Sequence, residues 1–520
     1  MDTSATGAQV IAAALRAVDV DVAFGLPGVH NMALWPAFKA AGIRIVGSRH
    51  EQGCAYAADG YARSTGRLGV ALVTTGPGAA NTLGAVGEAW ASKSPILVIA
   101  TDIPSTQRTP DVYRGVLHEC TDQASMFTAV TKAQTREINA AIHAALTPPH
   151  GPTYFEIPTD LLRAPWATPD APRREPVVDN PERIDIALGD RPILIVGGGA
   201  KDAGRQIEFA ARHLGAPVVT TFSARGVLPA GHPHLVPAPA HEPQVTSLIA
   251  RATGAIVIGS DLDAMNTMAW RLPLPARRVA INIDATDAAK NYTFDQVIAA
   301  DTQAVNEIVA QLPSNKPWFG HLALLGREIR EELRQDSNSA ESIEFLEHTE
   351  SALPAKSVVF ADMCIAGYWM AGHYAVAEPR GLHYPMGWGT LGWAFPAAIG
   401  AATSGRPAAA FVGDGGMLFA IGELATVAQE QLPITIIVID DGGYGMLRFP
   451  HEELDGCELQ PVDFVKVAEG FGIDATLISG VGSDYQHALT QAASRNAPSL
   501  LHVKAALYPP RTTSPRWPTK

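Results

Sequence analysis

AAAFVGDGGMLFAIGELATVAQEQLPITIIVIDDGGYG, residues 408–445, contains the unit around which the rest of this chain can be read. The apolar run AAAFV leads into the turn Gly413-Asp414-Gly415-Gly416. A helix-length segment then reaches Leu432-Pro433, and a second apolar run, ITIIVI, ends at Asp440-Asp441-Gly442-Gly443. Runs that are apolar throughout suit strands buried on both faces, the habit of parallel sheets, and parallel neighbours need a crossover between them. Asp414 and Asp441 are therefore expected at the carboxyl ends of two neighbouring parallel strands, where open α/β sheets bind ligands. Two carboxylates there suit Mg²⁺, a hard cation that often shares its oxygen ligands with phosphates. A glycine-rich strand-to-helix turn lets backbone N–H groups approach a phosphate. The tetrapeptide GDGG alone reads equally well as a turn with a solvated aspartate; the specificity lies in the whole unit.

The same alternation runs along the chain. GVALVTT (69–75), PILVIAT (95–101), PILIVGGG (192–199), GAIVIGS (254–260), RVAINID (278–284) and SVVFADM (357–363) are short apolar runs separated by helix-length segments. The class is therefore α/β. A length of 520 residues suggests about three domains at roughly 100–200 residues each. We place them at 1–163, 185–330 and 355–508, each expected to be a doubly wound parallel sheet. The stretch APWATPDAPRREPVVDNPERI (164–184), rich in proline and charge, reads as a linker, as does the charged, partly helical stretch 331–354. The tail YPPRTTSPRWPTK reads as extended.

Composition narrows the functional classes. Hydrophobic residues make up 47% and charged residues 18%, as in a soluble globular protein with a large core. A net charge of −13 argues against a general nucleic-acid binder. The N-terminus MDTSATGAQV lacks the basic start and apolar run of a secretory signal. No uninterrupted apolar stretch reaches the about 18 residues of a membrane span. Cys54, Cys120, Cys364 and Cys457 are far apart and form no CxxC pair, which argues against a zinc site and fits a cytoplasmic location.

The unit at 408–445 resembles the cofactor signature of the thiamine diphosphate-dependent superfamily that includes acetohydroxyacid synthase, pyruvate decarboxylase and benzoylformate decarboxylase. That resemblance implies thiamine diphosphate and Mg²⁺ as cofactors. It makes Asp414, Asp441 (27 positions later) and the carbonyl of Gly443 the metal ligands. Gly413, Gly415, Gly416, Tyr444 and Gly445 then flank the diphosphate. The family usually has asparagine where Asp441 stands, so this chain carries an extra negative charge beside the metal, which the cation offsets.

Further segments resemble the family's pyrimidine-binding domain in order and spacing: GLPG (25–28), HEQG (50–53), ADGYAR (58–63) and TTGPGAAN (74–81). A glutamate at a helix start is by itself a cap or a solvated residue. By the resemblance, Glu51 is the carboxyl group that meets N1′ of the cofactor's pyrimidine, with Pro27 and Gly76 near the cofactor. YPMGWGTLGWAFPAAIG (384–400) resembles the segment that presents a bulky apolar side chain beneath the thiazolium. Leu391 matches that side chain, and the backbone at Gly387 and Gly389 would contact the pyrimidine. Read without the resemblance, this segment is a helix start packed closely on another element. In this family the two ends of the cofactor usually meet different subunits, so a homodimer or homotetramer with active sites between subunits is implied.

The central third is more ambiguous. GGGAKDAG (197–204) after PILIV can hold a nucleotide phosphate, but such a turn alone is weak evidence. TTFSARGVLPAGHP (220–233) and INIDATDAAKN (281–291) resemble the central domain of acetohydroxyacid synthase, which binds FAD in some members. GSDLDAMNTMAW (259–270) lacks the arginine-bearing pattern of the FAD-binding relatives, which favours a structural domain over an FAD site.

Residues that set the substrate are harder to name. His30, in GLPGVHN, and His118, in VLHECTDQ, are candidate proton carriers, since an imidazole titrates near neutral pH. Each can equally be a satisfied structural histidine. Lys132 matches a family lysine near the substrate channel and can equally be a solvated lysine. The Gln-Trp pair that acetohydroxyacid synthases carry beyond the metal loop is absent from YGMLRFPHEEL (444–454), where Arg448 resembles the YGALR-type segment of benzoylformate decarboxylase. The family's Gln-His diphosphate contact is replaced by Ile365 and Ala366 in CIAGYW (364–369). The expected activity is decarboxylation of a small-molecule 2-oxo acid, ending in aldehyde release or in acetolactate synthase-like carboligation. A cofactor-binding scaffold without chemistry is the alternative; a nicotinamide dehydrogenase is disfavoured because no GxGxxG follows the first strand.

Overall fold

A computed structural model describes residues 5–166, 183–449 and 455–512. Most of the linker 164–184, the end of the 444–454 segment and residues 513–520 lie outside the described residues. Three parallel sheets carry the fold, as the alternating pattern predicts. The first has six strands in the spatial order Arg44–Gly47, Val22–Gly25, Gly69–Val73, Ile96–Asp102, Thr153–Pro158, Ala133–Thr135. The third repeats that order with Leu382–His383, Val358–Ala361, Ala408–Gly413, Ile434–Asp440, Ser499–Lys504 and Asp474–Ser479. The central sheet has five strands, Gln296–Ala299, Arg277–Asn282, Gly254–Ile258, Pro192–Val196 and Val218–Thr220. Numbered within each sheet, the first and third both read 2-1-3-4-6-5 and the central one 2-1-3-4-5, so the three units share the 2-1-3-4 order and the central one differs at its last edge.

The strands that carry the sites are buried along their whole length, as in Ile96–Asp102 and Ile434–Asp440. Helices cover both faces of such strands. The helix Glu51–Thr65 is almost wholly buried and ends at Gly66, whose φ of 76° is the left-handed C-cap that glycine adopts without strain. It crosses the helix Ala394–Thr403 at very close range. A Cβ on Gly60 would stand 2.0 Å from the carbonyl oxygen of Ala397, and one on Gly400 would stand 2.0 Å from that of Ala57. Only glycine lets these two helices approach so closely.

That contact unites the first and third sheets, whose buried residues form one continuous core running from Val22 and Phe24 to Trp393, Val412 and Leu500. A second core joins the central and third units. The charged stretch 331–354 falls mainly in the helices Leu322–Gln335 and Ala340–Ala352. The second buries Phe345 against Phe411 and Tyr485, so it is built into the third unit's core. The period of its apolar residues, hidden among acidic ones, allows both a solvated outer face and a buried inner one.

Candidate functional site

Three adjacent strands of the third sheet place an aspartate at or just beyond their carboxyl ends. Asp362 follows Val358–Ala361, Asp414 follows Ala408–Gly413, and Asp441 follows Ile434–Asp440. Together they line a cavity of about 170 Å³. Leu391, Gly413, Gly415, Gly416, Gly443, Tyr444 and Gly445 line it as well, together with Cys364, Ile365, Ala366, Met446, Leu447 and Leu507.

The electrostatics of this cavity suit a cation. Asp414 Oδ1 and Asp441 Oδ1 are both buried and have no hydrogen-bond partner. Burial, then the neighbouring Asp441 and Asp440, pushes the Asp414 carboxyl up to about 7. Burial pushes Asp441 up to about 6, against the opposing pull of Arg448. Buried carboxylate oxygens without partners are costly unless a cation or proton meets them. Asp440 does not share this condition, because His502 Nε2 and Lys504 Nζ lie 2.7 and 2.5 Å from its Oδ2. Among the described residues no group of three or more His, Cys, Asp or Glu side chains forms a metal cluster. A cation here would rest on two side chains, a backbone carbonyl and oxygens it brings with it.

The glycines of this loop are there for space. A Cβ on Gly445 would lie 1.8 Å from Asp441 Oδ2, and one on Gly443 would lie 2.0 Å from the carbonyl oxygen of Cys457. Gly415 faces the Tyr444 ring and Gly416 faces Asp362 Oδ2, each too close for a side chain.

Asp362 is a site residue that the motif reading did not single out. Its Oδ2 accepts the N–H of Gly392 at 2.7 Å and its Oδ1 accepts that of Trp393 at 3.1 Å. It thereby holds the turn that carries Leu391 against the start of the helix Asp414–Ala420. Its position at the end of SVVFAD, parallel to those of Asp414 and Asp441, was the available signal.

The remaining expected residues gather elsewhere. Glu51 begins the helix Glu51–Thr65, is 8% exposed, and accepts Asn81 Nδ2 at 2.9 Å on Oε2. Glu423, from the third unit, sits at the start of the same helix, where its Oε1 accepts the N–H groups of Arg49 and His50 at 2.9 and 3.1 Å. Gly76 and both histidines lie close by one another. Gly76 has φ 67°, and a Cβ there would meet the carbonyl oxygen of His118 at 2.6 Å. His118 is itself in the left-handed region at φ 68°. The His30 and His118 rings meet edge-on with centroids 5.2 Å apart, and His30 Nδ1 lies 2.9 Å from Thr75 Oγ1. Burial, then His118, lowers the His30 pKa, with Asp102 opposing. Buried Gln123 locks this corner by accepting the N–H of Gly76 at 2.5 Å and donating to Tyr154 at 2.6 Å.

None of Pro27, His30, Glu51, Gly76 and His118 lines the cavity that holds Asp414. Gly387 and Gly389 also lie outside its lining; a Cβ on Gly387 would meet Ala91 at 2.6 Å, and Trp388 stands edge-on to Trp90. Lys132 donates to the carbonyls of Ala144, Thr147 and Pro149 at 2.8, 2.7 and 2.6 Å, so its amine closes the end of the helix Ile138–Leu146. In the central unit a Cβ on Gly197 would strike Gly259 and Ser260, so the glycine-rich turn is close-packed against the neighbouring strand end.

A sheet-end cavity in which Asp414 Oδ1 and Asp441 Oδ1 lack hydrogen-bond partners suits a cation that arrives with an anionic ligand. Comparison with known proteins names the class. Thiamine pyrophosphate enzyme models match the N-terminal TPP binding domain over residues 5–126, the central domain over 185–312 and the C-terminal TPP binding domain over 362–503. The probable 2-ketoarginine decarboxylase of Pseudomonas aeruginosa is 31% identical, with 90% of this chain and 88% of that protein covered. The probable acetolactate synthase large subunit of Methanocaldococcus jannaschii is 28% identical over 96% of this chain and 91% of its own length. A solved thiamine diphosphate-dependent 4-hydroxybenzoylformate decarboxylase of Rhodococcus jostii has the same fold, with a TM-score of 0.79 at 22% identity, covering 97% of this chain and 99% of that one. The chain belongs to the thiamine diphosphate-dependent enzyme superfamily of acetolactate synthases and 2-oxo acid decarboxylases. Among the described residues no helix is long and apolar enough to cross a membrane.

Proposed function

We propose that this protein decarboxylates a 2-oxo acid with thiamine diphosphate and Mg²⁺, and that two copies of the chain complete each active site. The observation that carries the reading is the pair of buried oxygens on Asp414 and Asp441 that lack hydrogen-bond partners, in a cavity that Leu391 also lines. Those carboxylates and the Gly443 carbonyl would hold the Mg²⁺, and the glycine backbone at 415 and 416 would face the diphosphate. When bound, the cofactor supplies an electron sink for the electron pair left by departing CO₂.

The chain's own residues do the rest. Leu391 would supply an apolar contact to the cofactor, on a turn that Asp362 holds by two backbone N–H groups. Glu51 holds or moves a proton at N1′ of the pyrimidine; Asn81 occupies its Oε2. Since residues 5–166 contribute nothing to the cavity around Asp414, we assign the Glu51 of each site to a second copy of the chain. Exposed Val29, Met32, Trp388 and Phe419 supply apolar surface suited to that contact. His30 and His118, close to Gly76, are our candidates for proton transfer to the product carbon. The central unit is structural in this reading and holds no FAD.

Aldehyde release is the outcome we place first, because the Gln-Trp pair of acetohydroxyacid synthases is absent from 444–449 and the P. aeruginosa relative is named a decarboxylase. The test is a screen of pyruvate, branched, aromatic and cationic 2-oxo acids with added cofactor and Mg²⁺, measuring CO₂ and organic products together. Aldehyde with CO₂ supports decarboxylation, and an acetohydroxy acid supports carboligation. Absence of CO₂ from every substrate, with cofactor bound, would leave a scaffold role.

A further inference from the structure

The extra negative charge at Asp441 has a partner. Arg448 Nη1 donates to the Asp441 carbonyl at 3.0 Å and lies 3.5 Å from Asp441 Oδ1, an ion-pair distance without a hydrogen bond. On its other side the guanidinium forks onto Glu458, with Nε and Nη2 donating to Oε1 and Oε2 at 2.7 and 2.9 Å. Glu458 has 74% of its side chain exposed, so water screens its charge, whereas Asp441 faces the cavity. The fork therefore fixes Arg448 in place with Nη1 held against Asp441. Among the described residues no other Lys, Arg or His side chain comes within 4 Å of a carboxylate oxygen of Asp414 or Asp441, while Asp440 is already met by His502 and Lys504.

The charge balance has a consequence. Asp414 and Asp441 alone would present two negative charges to a cation. With Arg448 beside them the net is about one, and Mg²⁺ gives up its water reluctantly for so weak a field. A diphosphate brings its own anionic oxygens and restores the deficit. A neutral side chain at 441, with Arg448 kept, would leave the protein's side of the site near zero.

We propose that Arg448 is the resident counter-charge of this site, coupled to Asp441, and that it makes cation capture depend on a diphosphate arriving with the metal. The inference rests on the reading above that Asp414 and Asp441 hold Mg²⁺. Arg448 is a positioning residue in this role: it acts on the cation through Asp441.

Calorimetric titration of the full-length protein with MgCl₂, with and without inorganic diphosphate, tests it. Arg448→Gln should tighten Mg²⁺ binding in the absence of diphosphate by about three- to tenfold at low salt, the range of a partly screened charge. The enhancement that diphosphate gives should shrink by the same factor, and added salt should erase the difference. Arg448→Lys, which keeps the charge and loses the fork, should stay within about twofold of the parent. If Arg448→Gln and Arg448→Lys both weaken Mg²⁺ binding, Arg448 is a loop clamp and the proposal is overturned; unchanged binding in Arg448→Gln overturns it equally. If the parent protein binds no Mg²⁺ even with thiamine diphosphate, the cation site itself is wrong, a failure distinct from the other two.

Discussion

Trp393 donates its indole N–H to Asp59 Oδ2 at 2.8 Å, joining the helix that begins at Glu51 to the turn that carries Leu391. Arg63 completes the link. It donates to Asp59 and to Glu88 at 2.9 Å each and lies over the Trp393 ring at 4.6 Å. The ADGYAR segment thus acts as a buried anchor between the first and third units. Trp393→Phe removes the donor and shrinks a fully buried ring, leaving Asp59 Oδ2 to Arg63 Nη2 alone, 2.8 Å away. That change should cost about 1–3 kcal/mol, read as a lower midpoint in thermal or denaturant unfolding of the apoprotein. An unchanged midpoint would make the hydrogen bond energetically silent.

Glu51→Gln tests the proton role separately from binding. The amide preserves shape and the contact with Asn81 but cannot carry the proton. Mg²⁺-dependent cofactor binding should survive within a few-fold, while exchange of the cofactor's C2 proton slows by at least about 100-fold. Exchange at the parental rate would remove Glu51 from the chemistry.

Asp414→Ala should act on binding first. Removing one of two carboxylates leaves the cation and its diphosphate poorly held, a loss on the order of 3 kcal/mol. Calorimetry should show Mg²⁺ and cofactor affinity falling together, by about 100-fold or more. If thiamine diphosphate still binds tightly without Mg²⁺, the diphosphate is held by something other than the metal.

Gly60→Ala would drive a methyl group into the carbonyl of Ala397, a backbone atom that no rotamer change can move away. The helices Glu51–Thr65 and Ala394–Thr403 must separate, at a cost of about 1–3 kcal/mol or more. Expected readouts are a lower unfolding temperature and weaker cofactor binding, because the same crossing supports both Glu51 and Leu391. The exposed Gly42, with open space around its Cβ position and φ 75°, provides a control in which only backbone strain is introduced.

Acid sensitivity should trace in part to Glu242. Burial alone would raise its carboxyl, but His373 at 3.6 Å and Arg511 at 3.1 Å outweigh burial and hold it at about 2. A carboxyl depressed in the folded state stabilises it above its ordinary value of 4.5, and that stability is lost as pH falls toward about 2. The parent protein should therefore lose up to about 3 kcal/mol over that window through this one group. Glu242→Gln should be less stable at neutral pH and show a shallower decline in denaturant midpoint between those two pH values. Parallel pH profiles for the two proteins would exclude the group as a contributor.

The fold class was legible because parallel strands announce themselves locally. AAAFV, ITIIVI and PILVIAT are apolar throughout, and such runs have to be buried on both faces wherever they end up. Asp414 and Asp441 were legible for a related reason: each stands at the end of such a run beside glycines, so its place at a sheet end follows from the strand itself. The central turn at 197–200 shows the limit of that logic. Its glycines look fit for a phosphate, yet they are required by the close approach of Gly259 and Ser260.

Gln123 and Glu423 carry no comparable mark, and the strand-end place of Asp362 and the motif place of Arg448 do not show what either side chain meets. Asp362 matters because it reaches Gly392 and Trp393, 30 and 31 positions away, and Glu423 because it meets Arg49 and His50 across more than 370. Only the order of the strands and the crossing of two helices bring those pairs together. By itself, then, the sequence determined which segments become strands, where the glycine-rich turns fall, and which acids stand at the strand ends, all set by backbone preference and burial over a few residues. The tertiary structure alone decided which acids share a cavity, which charge answers Asp441, and that Glu51 stands outside the pocket of its own chain. Those facts depend on distances through space, which chain spacing does not encode.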